Sequence, residues 1–203
     1  MMEAFIAVSL IVLVAAITPG PNNFIVLATA MRGSRPAIFQ AIALIVLGTL
    51  SLLLLVWAGA GELFRHQPLL RPLLTLLGGG YLCWMGLRLM LRASITRAAV
   101  PGDSGLPTGS GIAVFQLMNP KSWVLVLTAF SALPAGMDRG QALAGLLLVF
   151  PVITTACLGL WAAAGHMLAP WVSGGRSGLW FDRVMGLLLS LSALMLVVGS
   201  LAG

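Results

Sequence analysis

Thr18-Pro19-Gly20-Pro21-Asn22-Asn23 interrupts an apolar run that extends from about Ala4 to Ala30. A run of that length can cross a bilayer, which takes ~20 apolar residues. The two prolines lack N–H donors and crowd the preceding turn, and Gly20 adds backbone freedom. The sequence therefore predicts a helix that breaks here, near the bilayer centre. Lipid cannot hydrogen-bond the freed backbone groups, so such a break persists only where protein or a water-filled cavity covers it. Discontinuous helices at that depth are where membrane transporters place their solute sites.

The rest of the chain supports a membrane setting. Of 203 residues, 60% are hydrophobic and 8% charged, with mean hydropathy +1.06. Average chains are ~25% charged, so this composition predicts a polytopic membrane protein with the lipid bilayer as its main partner. The net charge of +6 comes from basic residues spread singly between apolar spans. That pattern reads as topology information and not as a nucleic-acid surface. Cys83 and Cys157 fall within apolar spans and read as small packing residues. Met1-Met2-Glu3 lacks the positive n-region of a cleaved signal peptide, which predicts that the first span is retained. The chain has no Walker motif, no GxGxxG after a strand, no HExxH and no CxxC. It therefore predicts neither an enzyme nor an ATP-driven pump, with no cofactor and no metal.

Six spans are expected, at roughly 4–30, 37–60, 69–90, 111–133, 140–166 and 181–201. They form one transmembrane domain over 1–203, with halves 1–97 and 111–203 joined by a Gly/Pro/Ser/Thr-rich linker at 98–110. Arg32, Arg35, Arg88, Arg92, Arg97, Arg176 and Arg183 fall in the odd-numbered connections, against Arg65, Arg71 and Arg139 in the even ones. This bias predicts that odd loops are cytoplasmic and that both termini face outward. Pro21 to Ala30, PNNFIVLATA, resembles Pro120 to Ala129, PKSWVLVLTA. Each proline lies in the first span of a three-span half, and an odd number of spans per half inverts the second half. The fold class expected is an all-α membrane protein of two inverted three-helix repeats with broken first and fourth helices, the plan of many secondary transporters. About nine residues separate each break from the expected cytoplasmic end. At ~1.5 Å per residue that is ~14 Å, half of a ~30 Å hydrocarbon core.

Asn119-Pro120 has the form of an N-cap followed by proline at the first helical position. Gly20-Pro21 or Thr18-Pro19 can play the same part in the first span. Each break then starts a half-helix whose N-terminus favours an anion, and Lys121 adds a full positive charge. A lysine at a helix centre costs ~2.5–3.5 kcal/mol, so it normally faces a cavity. Asn22, Asn23, Ser122 and Gln116 offer directional hydrogen bonds; the alternative is that Asn22, Asn23 and Asn119 satisfy broken backbone. These groups suit a zwitterion: a carboxylate on the half-helix N-termini and Lys121, and an amino group on amide oxygens or freed carbonyls. Thr49 in span two, Tyr81 in span three and Thr154-Thr155 after Pro151 complete the candidate substrate-binding set. Pro151 is expected to kink its helix. No acidic residue lies in a helix core, so the carboxylate relay of many proton-coupled carriers is missing. If protons are the coupling ion, the carriers on offer are Lys121, His166 or the substrate's amino group. Small residues in spans two and three offer a face for a homo-oligomer.

TPGPNN in span one, GGGYLCWMGLRLMLR in span three and FQLMNPKSW in span four resemble the LysE/RhtB amino-acid exporters over essentially the whole chain. TPGPNN, the FQ before NPK, and AAAGH at Ala162 to His166 are most similar to the cysteine/O-acetylserine exporter branch. The resemblance implies a bacterial inner-membrane exporter of small neutral amino acids or derivatives, such as cysteine, O-acetylserine, threonine or homoserine. It also implies that Pro19, Gly20, Pro21, Asn22, Asn119, Pro120 and Lys121 are signature positions. Many members read FLPQF after NPK, where this chain has Ala129-Phe130-Ser131-Ala132-Leu133-Pro134. The competing reading is an inorganic-ion carrier of related architecture, which would need buried carboxylates or thiolates.

Overall fold

The computed structural model describes residues 2–31, 35–67, 69–95, 109–172 and 176–201. The described residues form helices joined by turns, with no strand among them. The expected break in the first apolar run separates α1 (Met2–Ile17) from α2 (Pro21–Met31), which are bent by 52°. A matching break separates α6 (Ser110–Met118) from α7 (Pro120–Ser131), bent by 60°. Pro21 and Pro120 are each the first residue of the helix that follows, where a missing N–H costs nothing.

The second run forms α3 (Arg35–Leu55), then a π-helical turn at Val56–Ala60 and α4 (Gly61–His66). Gly59 sits inside that turn with φ of 117°, a backbone conformation open mainly to glycine. The remaining long helices are α5 (Leu70–Ile95), α8 (Arg139–Val172) and α9 (Arg176–Leu201). Among the described residues, three helices are long and apolar enough to cross a membrane, or five if each bent pair counts as one span; α5 is not among them. Many large apolar side chains face outward, including Leu148, Val152, Trp171 and Met195, as a surface solvated by lipid requires.

Several boundaries differ from the sequence reading. Arg88 lies inside α5 and not at the start of a loop; of the linker, 96–108 fall outside the described residues. The connection expected between the spans at 140–166 and 181–201 is mostly helical, because α8 runs to Val172 and α9 begins at Arg176, with Gly174-Gly175 outside the described residues. α8 passes through both Pro151 and Pro170 as one helix. Neighbouring helices can cover the carbonyl that a proline frees, which is why membrane helices tolerate it.

Packing pairs α5 with α9, α2 and α1 with α8, and α3 with both α6 and α8. Small residues permit the closest crossings. A Cβ on Gly186 would meet the Gly86 carbonyl oxygen at 2.5 Å, so α5 and α9 approach backbone to backbone. One buried cluster, around Phe24, Ile45, Phe115 and Leu158, lies on one side of the breaks. A second, around Val12, Leu53, Val126 and Phe150, lies on the other. The polar break residues occupy the zone between these two apolar layers.

Candidate functional site

Breaking α1 from α2 frees the last carbonyls of α1, which have no partner within the helix. Side chains partner several carbonyls at this end and in the break that follows it. Asn23 Nδ2 donates to the Ala16 oxygen at 2.9 Å and to the Thr18 oxygen at 2.8 Å. Trp161 Nε1, from α8, donates to the Ile17 oxygen at 3.3 Å. Lys121 Nζ reaches across from the second break and donates to the Thr18 oxygen at 2.9 Å and the Pro19 oxygen at 3.4 Å. The second break repeats the arrangement: Trp123 Nε1 donates to the Leu117 oxygen at 2.7 Å. Asn119 caps α7, its Oδ1 accepting from the Lys121 N–H at 3.1 Å. The two breaks also touch directly, with Asn119 Nδ2 donating to Asn22 Oδ1 at 3.4 Å.

Around this meeting point is a cavity with about 40 Å³ of space for water-sized molecules. A single water needs about 10–15 Å³ on that measure, so this conformation admits a few waters and must widen for an amino acid. Gly20, Pro21, Asn22 and Asn23 line it from the first break, and Asn119, Lys121 and Ser122 from the second. Thr49 on α3, Gln116 on α6 and Thr154 on α8 complete the polar wall, and Ala15, Ala16, Leu125 and Leu158 the apolar wall. Gly20 lies close to the lysine, since a Cβ there would sit 2.9 Å from Lys121 Nζ and the flexible chain would have to shift to admit it.

Electrostatically the cavity has two poles. The N-termini of α2 and α7 supply partial positive charge, and the C-terminal carbonyls of α1 supply partial negative charge. Lys121 fills the cationic position on the carbonyl pole. An ammonium has three donors, and two are engaged here, which leaves a third for an incoming anion.

Five of the expected residues lie off this cavity. Thr18 contributes its carbonyl and not its exposed side chain. Pro19 lines a neighbouring cleft of about 20 Å³ with Trp161. Pro120 is buried against Gly78 of α5. Tyr81 packs against Trp84 and Phe115, with ring centroids 5.7 and 5.6 Å away. Thr155 is exposed, one residue from cavity-lining Thr154. His166 is exposed on α8 and does not line the cavity. Sequence reasoning missed Trp161 and Trp123 as caps; their signal was an indole N–H inside an apolar helix, which normally finds a partner.

A second, wider cavity of about 490 Å³ opens between the π-helical turn and the 132–138 turn, lined by Trp57, Glu62, Phe130 and Arg139 among others. Trp57 Nε1 donates to the Arg139 carbonyl at 3.1 Å across it. None of the expected binding residues lines it.

No group of three or more His, Cys, Asp or Glu able to hold a metal occurs among the described residues. Cys83 Sγ lies 3.8 Å from the Ser190 carbonyl oxygen, and Cys157 is buried; neither lines the cavity between the breaks.

Comparison with known proteins places this geometry in a family. A threonine efflux protein of Escherichia coli is 29% identical over 206 residues, covering 94% of this chain and 95% of the relative. A cysteine/O-acetylserine efflux protein of Salmonella choleraesuis is 30% identical over 159 residues, covering 76% of this chain and 78% of the relative. A leucine efflux protein of Klebsiella pneumoniae is 31% identical over 118 residues, covering 56% of this chain and 55% of the relative. No solved structure matches the chain. The family model for the LysE type translocator matches residues 13–200, a stretch that includes both breaks and the cavity between them, and the chain belongs to that family.

Proposed function

We propose that this protein is a secondary exporter of small neutral amino acids or their derivatives across the bacterial inner membrane. The observation that carries the reading is the meeting of the two breaks: Lys121 of one bonds the freed carbonyls of the other around a cavity with both electrostatic poles. A zwitterion fits such a site. Its carboxylate meets the N-termini of α2 and α7 and the Lys121 ammonium; its own ammonium takes over the Thr18 and Pro19 carbonyls as Lys121 turns from them to the carboxylate. The efflux relatives, whose names specify threonine, cysteine/O-acetylserine and leucine, support this class of substrate.

The proposal includes the six-span inverted repeat with both termini periplasmic. Pairing of α5 with α9, of α3 with α8, and of α1–α8 alongside α6–α3 is compatible with a two-fold relation between the halves, as inverted repeats have. It also includes coupling to protons, with Lys121 as the proton-carrying residue, and the wider cavity at the 132–138 turn as the periplasmic vestibule.

The test is a resistance screen. Cells overexpressing the protein are challenged with each amino acid or a toxic analogue. New resistance to small neutral amino acids, with export measured directly in everted vesicles, supports the reading. Resistance to metal salts alone overturns it in favour of an inorganic-ion carrier.

A further inference from the structure

Gln116 is 1% exposed and lies in the cavity wall. Its Nε2 donates to Thr49 Oγ1 at 2.7 Å. Thr49 in turn spends its one hydroxyl hydrogen on the Ile45 carbonyl, at 2.9 Å. That relay fixes the amide orientation. Rotating the amide by half a turn would set its oxygen against a hydroxyl oxygen whose hydrogen is already committed. Gly48 makes room for the side chain, because a Cβ there would meet Gln116 Cγ at 2.7 Å. Gln116 Oε1 is consequently left as a buried acceptor with no donor from the protein, the only such side-chain atom among the described residues.

A buried polar atom without a partner is uncommon in folded proteins and calls for a reason. We infer that Gln116 Oε1 is the specificity element of the cavity, accepting a hydrogen bond from a side-chain hydroxyl, or more weakly a thiol, of the transported amino acid. This deepens the amino-acid export proposed above and rests on it. The substrate ammonium is the poorer candidate for this position, since a full charge buried against one neutral oxygen is costly. The Thr18 and Pro19 carbonyls already show where a cation sits. A neutral donor needs one acceptor, which is what Gln116 provides. An aliphatic side chain of the same shape would leave Oε1 unpaired, and sites built around a polar partner reject such analogues strongly.

Threonine and valine are isosteres that differ in this donor and are the probes for the test. Efflux of each is measured from proteoliposomes containing the full-length protein, wild type or Gln116→Met, a swap of similar volume. Wild type is expected to prefer threonine by about 5- to 150-fold, the usual cost of an unpaired buried acceptor. Gln116→Met is expected to bring that ratio close to one. Thr49→Val releases the relay and is expected to lower the ratio part of the way; it decides the matter if Gln116→Met does not reach the membrane. Equal loss of threonine and valine transport, or an unchanged ratio, overturns the inference and leaves amino-acid export standing. A wild-type protein that moves no amino acid defeats the export reading itself.

Discussion

Replacing Lys121 with methionine separates its part in folding from its part in transport. The substitution removes an ammonium that donates to the Thr18 and Pro19 carbonyls. Hydrogen bonds to charged groups contribute ~1.5–3 kcal/mol. Against this, methionine removes the ~2.5–3.5 kcal/mol cost of holding a lysine at membrane depth. Thr18 keeps its bond from Asn23 Nδ2 at 2.8 Å, so only the Pro19 carbonyl is left without the bond it makes here. The two effects nearly cancel, and Lys121→Met is expected to insert at wild-type abundance and melt within a few degrees of wild type in detergent. Transport has no such offset. Losing one charge-assisted contact to a carboxylate is expected to slow export by about 10- to 150-fold. The assay is efflux of radiolabelled amino acid from preloaded vesicles, normalised to membrane abundance by immunoblot. Export by Lys121→Met within twofold of wild type, at equal abundance, would remove Lys121 from the mechanism.

Other expectations follow from the same geometry. Asn119→Ala loses the cap on α7 and the contact to Asn22; the expected cost is ~0.5–2 kcal/mol, read as a lower melting temperature in detergent together with slower efflux. Thr154→Val, in the cavity wall, is expected to reduce export, whereas Thr155→Val, on the exposed face, is expected to leave it within twofold of wild type; the same vesicle assay separates them. Tyr81→Phe keeps the ring packing against Trp84 and Phe115 and is expected to leave export unchanged, so a large loss would draw Tyr81 into the site. A protonophore that collapses the pH gradient is expected to stop uphill export in everted vesicles, and undiminished export would eliminate proton coupling.

Sequence alone located both breaks because proline and asparagine act locally. Pro21 and Pro120 cannot continue a preceding helix, and Asn119 can cap the next one, whatever surrounds them. Facing was harder to read. Thr154 and Thr155 are adjacent, yet one lines the cavity and the other is exposed. In a soluble protein the apolar stripe of a helix reveals which side is buried. Here lipid and core are equally apolar, so α8 carries no stripe that distinguishes them, and Tyr81 on α5 could not be placed in its aromatic cluster. The ends of α8 and α9 were misread for a related reason: Pro170 and Gly174-Gly175 look like loop residues, but α8 continues to Val172. Pairings distant in sequence, such as Trp161 with Ile17 and Gln116 with Thr49, arise only from the packing of the helices.

The central claim is that the two breaks meet at one solute site. Asn119 Nδ2 and Asn22 Oδ1 stand 3.4 Å apart, so the pair Asn22→Cys and Asn119→Cys, in a Cys83→Ala, Cys157→Ala background and probed with a short bifunctional thiol reagent, measures it most directly. A short thiol cross-linker applied to native membranes is expected to join the two halves of the chain covalently, detectable after cleavage in the 98–110 linker, and an exported amino acid is expected to slow the reaction. Two thiols that the reagent labels singly but never bridges in a protein of normal abundance, or that cross-link at the same rate with and without amino acid, would contradict it.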